Sequence, residues 1–175
     1  MWLKLDLEGM KIELNIKGYQ PSDNESWDYQ WCDVDFSFMF PDCINYSKQD
    51  GEVMLSCEIE TLESKIDDFI NDRIKEKETL EFIEPDFAFE FTPSYNKVES
   101  GEYSYAAPGH EMSTPIMEWK VNLWSGGLTC NYFSTTFDKD EVRVLRDYLR
   151  LVIGKANIDN DDIKGHIEAG LIGGQ

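Results

Sequence analysis

Leu3, Leu5 and Leu7 alternate with Lys4, Asp6 and Glu8, and after Gly9 the residues Ile12, Leu14 and Ile16 alternate with Lys11, Glu13, Asn15 and Lys17. Period two on both sides of a Glu-Gly pair predicts a β-hairpin. Gly18 to Asp28, with Pro21, reads as a polar loop. From Gln30 to Phe40 the alternation returns: Cys32, Val34, Phe36, Phe38 and Phe40 share one face, and Trp31, Asp33, Asp35, Ser37 and Met39 the other. Pro41 to Asp50 reads as a turn, and a fourth strand runs from Glu52 to Glu60. Its inner face is Val53, Leu55, Cys57 and Ile59, and Glu52, Met54, Ser56, Glu58 and Glu60 point outward. The two long runs predict an antiparallel pair with one wet face.

The period then changes. Leu62, Ile66, Phe69, Ile70 and Ile74 follow the 3/4 spacing of a helical stripe. Thr61 is the expected cap, with Glu63 in the first turn and Lys75 and Lys77 in the last, so the helix is expected over 61–77. Short strands at 79–83 and 87–91 flank Glu84-Pro85, where the missing donor of Pro85 predicts an edge or bulge. A second hairpin, 116–124 and 128–137, surrounds Ser125-Gly126-Gly127. Asp138 and Glu141 form a capping box ahead of a helix that buries Val142, Leu145, Leu149 and Val152 and ends at Gly154.

The order ββββα-ββββα has no βαβ alternation. It predicts an α+β fold: one antiparallel sheet of about eight strands with two main helices packed on one face. Residues 1–156 form a single domain on this reading. Residues 157–175 are a Gly-rich acidic C-terminal tail with one short helix in 161–171.

Charge changes the picture most. Sixteen basic groups against 35 acidic ones give a net charge of −19. The surplus is spread along the chain, −9 over 1–60, −6 over 61–100 and −4 over 101–175. Such a surface attracts cations and basic proteins. It disfavours direct nucleic-acid binding, which needs clustered Lys and Arg. The 41% hydrophobic content, with 13% aromatics, separates the chain from disordered acidic tails.

Cys32, Cys43, Cys57 and Cys130 lack CxxC spacing, and with only His110 and His166 to join them no zinc cluster is read. The acidic residues Asp6 and Glu8 break any signal-peptide core, and no apolar run is long enough to span a membrane. These features predict a cytoplasmic chain with reduced thiols; its oligomeric state stays open.

Catalytic signatures are missing: the sequence has no GxSxG, HExxH, Walker A or GxGxxG. The stretch 159–170 is superficially like a calcium loop but places Ile163 and Gly170 where ligands are required. No cofactor or metal is therefore expected. Asp33 and Asp35, two positions apart on one strand face, are the one acidic pair suited to a divalent cation or to a partner's Lys or Arg. The long segment from Thr92 to Pro115 reads as an Ω-like loop or lid. Its Tyr103 and Tyr105, with Trp27 and Trp31 around Asp28, are aromatic anchors of the type found at interfaces.

The stretch Glu25-Ser26-Trp27-Asp28-Tyr29-Gln30-Trp31-Cys32-Asp33-Val34 resembles the WapI-type immunity proteins of bacterial contact-dependent toxin systems, whose motif has the form D-x-x-W-L-x-V. Leu80 to Phe89 and Phe133 to Leu151 continue the likeness, which covers residues 3–153. The segment 93–115 is longer than the family pattern, and residues after Gly154 have no counterpart in it.

The resemblance implies a non-catalytic cytoplasmic antidote that occupies a toxin domain, often a nuclease. A basic cleft on such a toxin is complementary to this chain's charge. The candidate contact residues are Trp27, Asp28, Trp31, Asp33, Asp35, Glu58, Glu60, Tyr103 and Tyr105. Two other classes remain: a metal-dependent hydrolase using Asp33 and Asp35, and a carbohydrate-binding or scaffold domain using exposed aromatics.

Overall fold

In the computed structural model, which describes residues 1–21 and 30–174, the first alternating run folds as predicted. Strands β1 (Trp2–Leu7) and β2 (Met10–Lys17) pair in the register Leu3↔Leu14 and Leu5↔Ile12. Their two-residue turn needs positive φ at both positions, which Glu8 (52°) and Gly9 (97°) adopt. Strand β3 (Trp31–Phe40) adds to β2, and β4 (Ile44–Leu55) adds to β3.

Helix α1 (Ser56–Ile70) follows directly. Strands β5 (Glu78–Glu81), β6 (Phe87–Thr92), β7 (Ile116–Trp124) and β8 (Leu128–Phe137) come next. The chain continues through helix α2 (Lys139–Val152), helix α3 (Asp161–Glu168) and the two-residue strand β9 (Ile172–Gly173).

The strands form two antiparallel sheets, where one of about eight strands was expected. One has the order β4-β3-β2-β1-β9, the other β5-β6-β7-β8. Their inner faces meet through edge-on aromatic rings: Phe36 to Phe87 at 4.9 Å and Phe38 to Trp119 at 5.1 Å between centroids. Each such pair adds about 1 kcal/mol beyond the burial of its rings. Helices α1 and α2 pack on each other and complete the core with Ile66, Phe69, Leu145 and Leu149. Tyr148 of α2 ties the layers together, its hydroxyl accepting from the Ile16 N–H at 2.8 Å.

Two boundaries differ from expectation. The segment 41–50, expected as a turn, is a short turn at 41–43 followed by the first half of β4, in which Ile44, Asn45, Tyr46 and Ser47 pair with β3. Its side chains alternate, with Ile44, Tyr46 and Lys48 half-buried and Asn45, Ser47 and Gln49 exposed, and backbone pairing with a long neighbour carries it. At the other end the chain turns helical at Ser56, not Thr61. Leu55 is the N-cap residue and Glu58 at N3 accepts from its N–H at 2.8 Å.

Thr61 therefore sits inside α1 and donates to the Cys57 carbonyl. Lys75 and Lys77 lie beyond the helix end. Cys57, expected on a core strand face, is exposed on α1, whereas Cys32 is buried as expected.

The capping box of α2 forms as predicted: Asp138 accepts from Asp140 and Glu141 N–H groups, and Glu141 accepts from the Asp138 N–H. The segment 157–174, whose docking the sequence leaves open, packs on the domain. Ile163 and Ile172 are buried, the Lys4 N–H donates to the Leu171 carbonyl at 2.7 Å, and β9 extends the first sheet beside β1.

Candidate functional site

The outer face of the first sheet carries the acidic residues picked out from sequence, with a local irregularity that sorts them into two kinds. The β3–β4 register shifts between Cys32 and Asp33 and again between Val34 and Phe36. This bulge brings the Asp50 N–H, on a backbone with φ of 48°, to the Asp35 carboxylate at 2.9 Å. Asn15 donates to the other oxygen at 3.2 Å and Lys17 to the first at 2.9 Å.

Asp35 is thus 6% exposed and internally satisfied, not part of a wet face. Burial works to raise its pKa. The Asp50 N–H, Lys17 and Asn15 outweigh burial and hold the carboxyl below its ordinary value. Lys17 also reaches Asp50 at 2.5 Å, and these two carboxylates raise its pKa.

Asp33 keeps the exposed position expected of it. It lies between Lys17 of β2 and Glu52 of β4 in the strand register. Lys17 is engaged with Asp35 and Asp50, and neither Asp33 nor Glu52 makes an ion pair among the described residues. Of the four carboxylates here, Asp35 and Asp50 share the Lys17 ammonium, and Asp33 and Glu52 do not contact it. A directly opposed pair of like charges across two strands is destabilising, so Asp33 and Glu52 carry a cost that no ion pair of theirs among the described residues offsets.

Glu58 and Glu60, expected on the same strand face, are on α1 instead. Glu58 accepts from the N–H groups of Leu55 and Ile83, at 2.8 and 2.6 Å. Burial raises its pKa against those two bonds. Glu60 accepts from the Tyr19 hydroxyl at 2.7 Å. Glu58 is thus a structural clamp between α1 and the chain after β5. Trp31 is half-buried at the start of β3. Trp27 and Asp28 lie outside the described residues.

Tyr103 and Tyr105 stand on the arm between β6 and β7. Its base is pinned by the bridge Asn96↔Met112 and by backbone bonds from Lys97 to Glu111 and from Ser113 to Tyr95. Beyond that base Tyr105 is 74% exposed, and the Lys97 ammonium lies 5.9 Å from the Tyr103 ring centroid. His110 is exposed on the same arm.

The hydrolase reading of Asp33 and Asp35 loses support, because the Asp35 carboxylate is buried and already taken up by Lys17, Asn15 and the Asp50 N–H. Among the described residues no group of three or more His, Cys, Asp or Glu is arranged to hold a metal. No described helix is long and apolar enough to cross a membrane.

Sequence reasoning missed Glu52 as a partner of Asp33. It also missed the cluster between the helices, where buried Glu63 accepts from Arg150 and Lys155, both at 2.6 Å. The spacing of Arg146 and Arg150 on α2, against Glu63 and Asp67 on α1, was the available signal for that cluster.

No curated protein is significantly similar to the chain. A family model, by contrast, matches residues 3–155, nearly the whole span through α2 and short of α3 and β9. The chain belongs to the immunity protein WapI-like family.

Proposed function

We propose that this chain neutralises a cognate toxin domain by binding it, without catalysis of its own, through the acidic outer face where β3 meets β4. Family membership supplies the class of partner. The observation that carries the surface is the exposed cross-strand pair Asp33 and Glu52, which has no internal counter-charge among the described residues. A lysine or arginine from a partner relieves that repulsion on docking, so the unfavourable term in the free protein becomes a favourable one in the complex.

A toxin that grips a phosphate backbone presents such cations. The net charge of −19 steers it in from a distance, and steered association reaches ~10⁸–10⁹ M⁻¹s⁻¹ at low salt. Tyr103 and Tyr105 supply rigid aromatic area for the same encounter. Binding inside the producing cell, in the cytoplasm, completes the proposal.

The test is co-expression with the C-terminal domain of a toxin encoded beside this gene. Growth rescue, with recovery of one toxin domain per chain and a complex that weakens as salt rises, is the expected result. Absence of rescue and of a complex would overturn the antidote reading. Rescue by a complex indifferent to salt and to Asp33→Lys would overturn the acidic surface.

A further inference from the structure

The two sheets have four edges, and three are defended. Strand β4 carries Lys48, Asp50 and Glu52 and is bulged against β3. Strand β5 is four residues long and has Glu78 and Glu81. Strand β9 has two residues and includes Gly173. Charges, bulges and shortness are the devices that stop an edge from pairing with another chain.

Strand β8 is neither charged nor short, and its one irregularity against β7, where 129–131 oppose Leu123 alone, ends before a regular run at 132–137. It runs ten residues, Leu128–Phe137, as the outer strand of its sheet, with no charged residue, proline or glycine. The uncharged stretch extends back to Val121, seventeen residues in a chain that is otherwise 29% charged. Leu128 is 51% and Tyr132 56% exposed, and Cys130, Asn131, Ser134 and Thr136 are exposed as well. Among the described residues no backbone hydrogen bond reaches the outward edge of β8.

We infer that β8 pairs antiparallel with β8 of a second copy of this chain, joining the two four-stranded sheets across a two-fold axis. The occupant follows from charge. Two chains of −19 repel over most of their surfaces, and the neutral β8 edge is where their backbones meet with no like charges opposed. A basic partner gains nothing from an edge without carboxylates, whereas a neutral strand of the same length and pattern fits it.

Geometry narrows the register. Thr136, Ser134 and Tyr132 face the polar side of the sheet opposite Glu118, Lys120 and Asn122, and Thr135 and Phe133 face inward opposite Trp119 and Val121. Directly opposed residues in an antiparallel pair share a face. The two longest self-pairings of the regular run 132–137 that keep both faces continuous therefore centre on Ser134 or on Thr135. The acidic patch lies on the other sheet and is not used, so the inference stands apart from the antidote reading.

Salt separates the two. Screening relieves repulsion between like chains, so self-association tightens as salt rises, whereas acidic-to-basic binding weakens. The experiment is sedimentation of the full chain over a concentration series at low and high salt, with the variants Ser134→Glu and Thr136→Lys. Each substitution gains an opposite charge on β7, Lys120 or Glu118, so each keeps the fold, which an unchanged thermal melt verifies.

The expected result is a concentration-dependent dimer that strengthens with salt and that either variant weakens by about tenfold or more, the equivalent of ~1.4 kcal/mol. A chain that stays monomeric throughout overturns the inference. So does a dimer that both variants leave intact, which would lie elsewhere. Loss of toxin binding in these variants of a monomeric chain would assign the edge to the toxin and also overturn it.

Discussion

The interface between the helices and the outer face at β3–β4 both carry clustered carboxylates, and they use them in opposite ways. Between the helices, Glu63, Asp67 and Asp147 meet Arg73, Arg146, Arg150 and Lys155, so every acid has a cation. Glu63 is only 2% exposed, and its two oxygens are taken by Arg150 and Lys155. At β3–β4 Lys17 is taken by Asp35 and Asp50, and Asp33 and Glu52 are left facing water. A net charge of −19 is therefore not one property of the molecule. Its balanced part holds α1 to α2, and its unbalanced part is available to a partner.

The largest effect that would break this contrast is at Glu63. Glu63→Gln leaves Lys155 without a counter-charge and Arg150 with Asp67 alone, and a cost of about 3 kcal/mol in chemical denaturation is expected, the low end for breaking a buried pair because both cations reach solvent. A change below the error of the measurement would make the helix cluster as dispensable as the exposed pair.

Asp35 comes next, as the one carboxylate of the β3–β4 group with a structural task. Asp35→Ala strands the Asp50 N–H and the Asn15 amide, and a loss of about 2 kcal/mol is expected. The pH dependence sharpens the point. Because the folded carboxyl titrates below its ordinary value, its stabilising contribution is complete above the unfolded pKa of about 3.9. It disappears as the pH falls through the lower folded value. The variant should show a shallower loss of stability on that acid limb than the parent chain.

A smaller effect checks that local signals behave locally. Asp138→Ala removes the acceptor for the Asp140 and Glu141 N–H groups at the start of α2 and should cost about 1 kcal/mol.

The smallest stability change is expected where function is assigned. Glu52→Gln removes a like charge opposite Asp33 and should be neutral or stabilising by up to ~0.5 kcal/mol. The same variant should bind the toxin domain more slowly. A clear destabilisation by Glu52→Gln would mean that the exposed pair is structural after all.

These contrasts also mark what the sequence disclosed. The β1–β2 hairpin, the β7–β8 hairpin and the α2 capping box were legible because each is specified within a few residues. The start of α1 was not. Leu55, Ile59, Leu62 and Ile66 fit a helical stripe, while Val53, Leu55, Cys57 and Ile59 fit a strand equally well, so periodicity alone favoured the wrong boundary.

That error carried Glu58 and Glu60 onto a strand face they do not occupy. The division into two sheets depends on how the aromatic faces of β3 and β7 meet, a long-range fact with no local signature. Asp33 was legible as exposed from alternation, but Asp35, with the same alternation, is buried by a bulge and by Lys17. The family likeness was legible in short motifs and is carried by the match over residues 3–155.

The central claim is that the unbalanced carboxylates of β3 and β4 recruit the toxin. Its most direct test is the association rate of the purified toxin domain with the parent chain and with the Asp33→Lys, Glu52→Lys double variant, followed by stopped flow at low and high salt. The variant is expected to associate at least about tenfold more slowly at low salt, with a reduced salt dependence and an unchanged melt. Equal rates and equal salt slopes for the two proteins would contradict it.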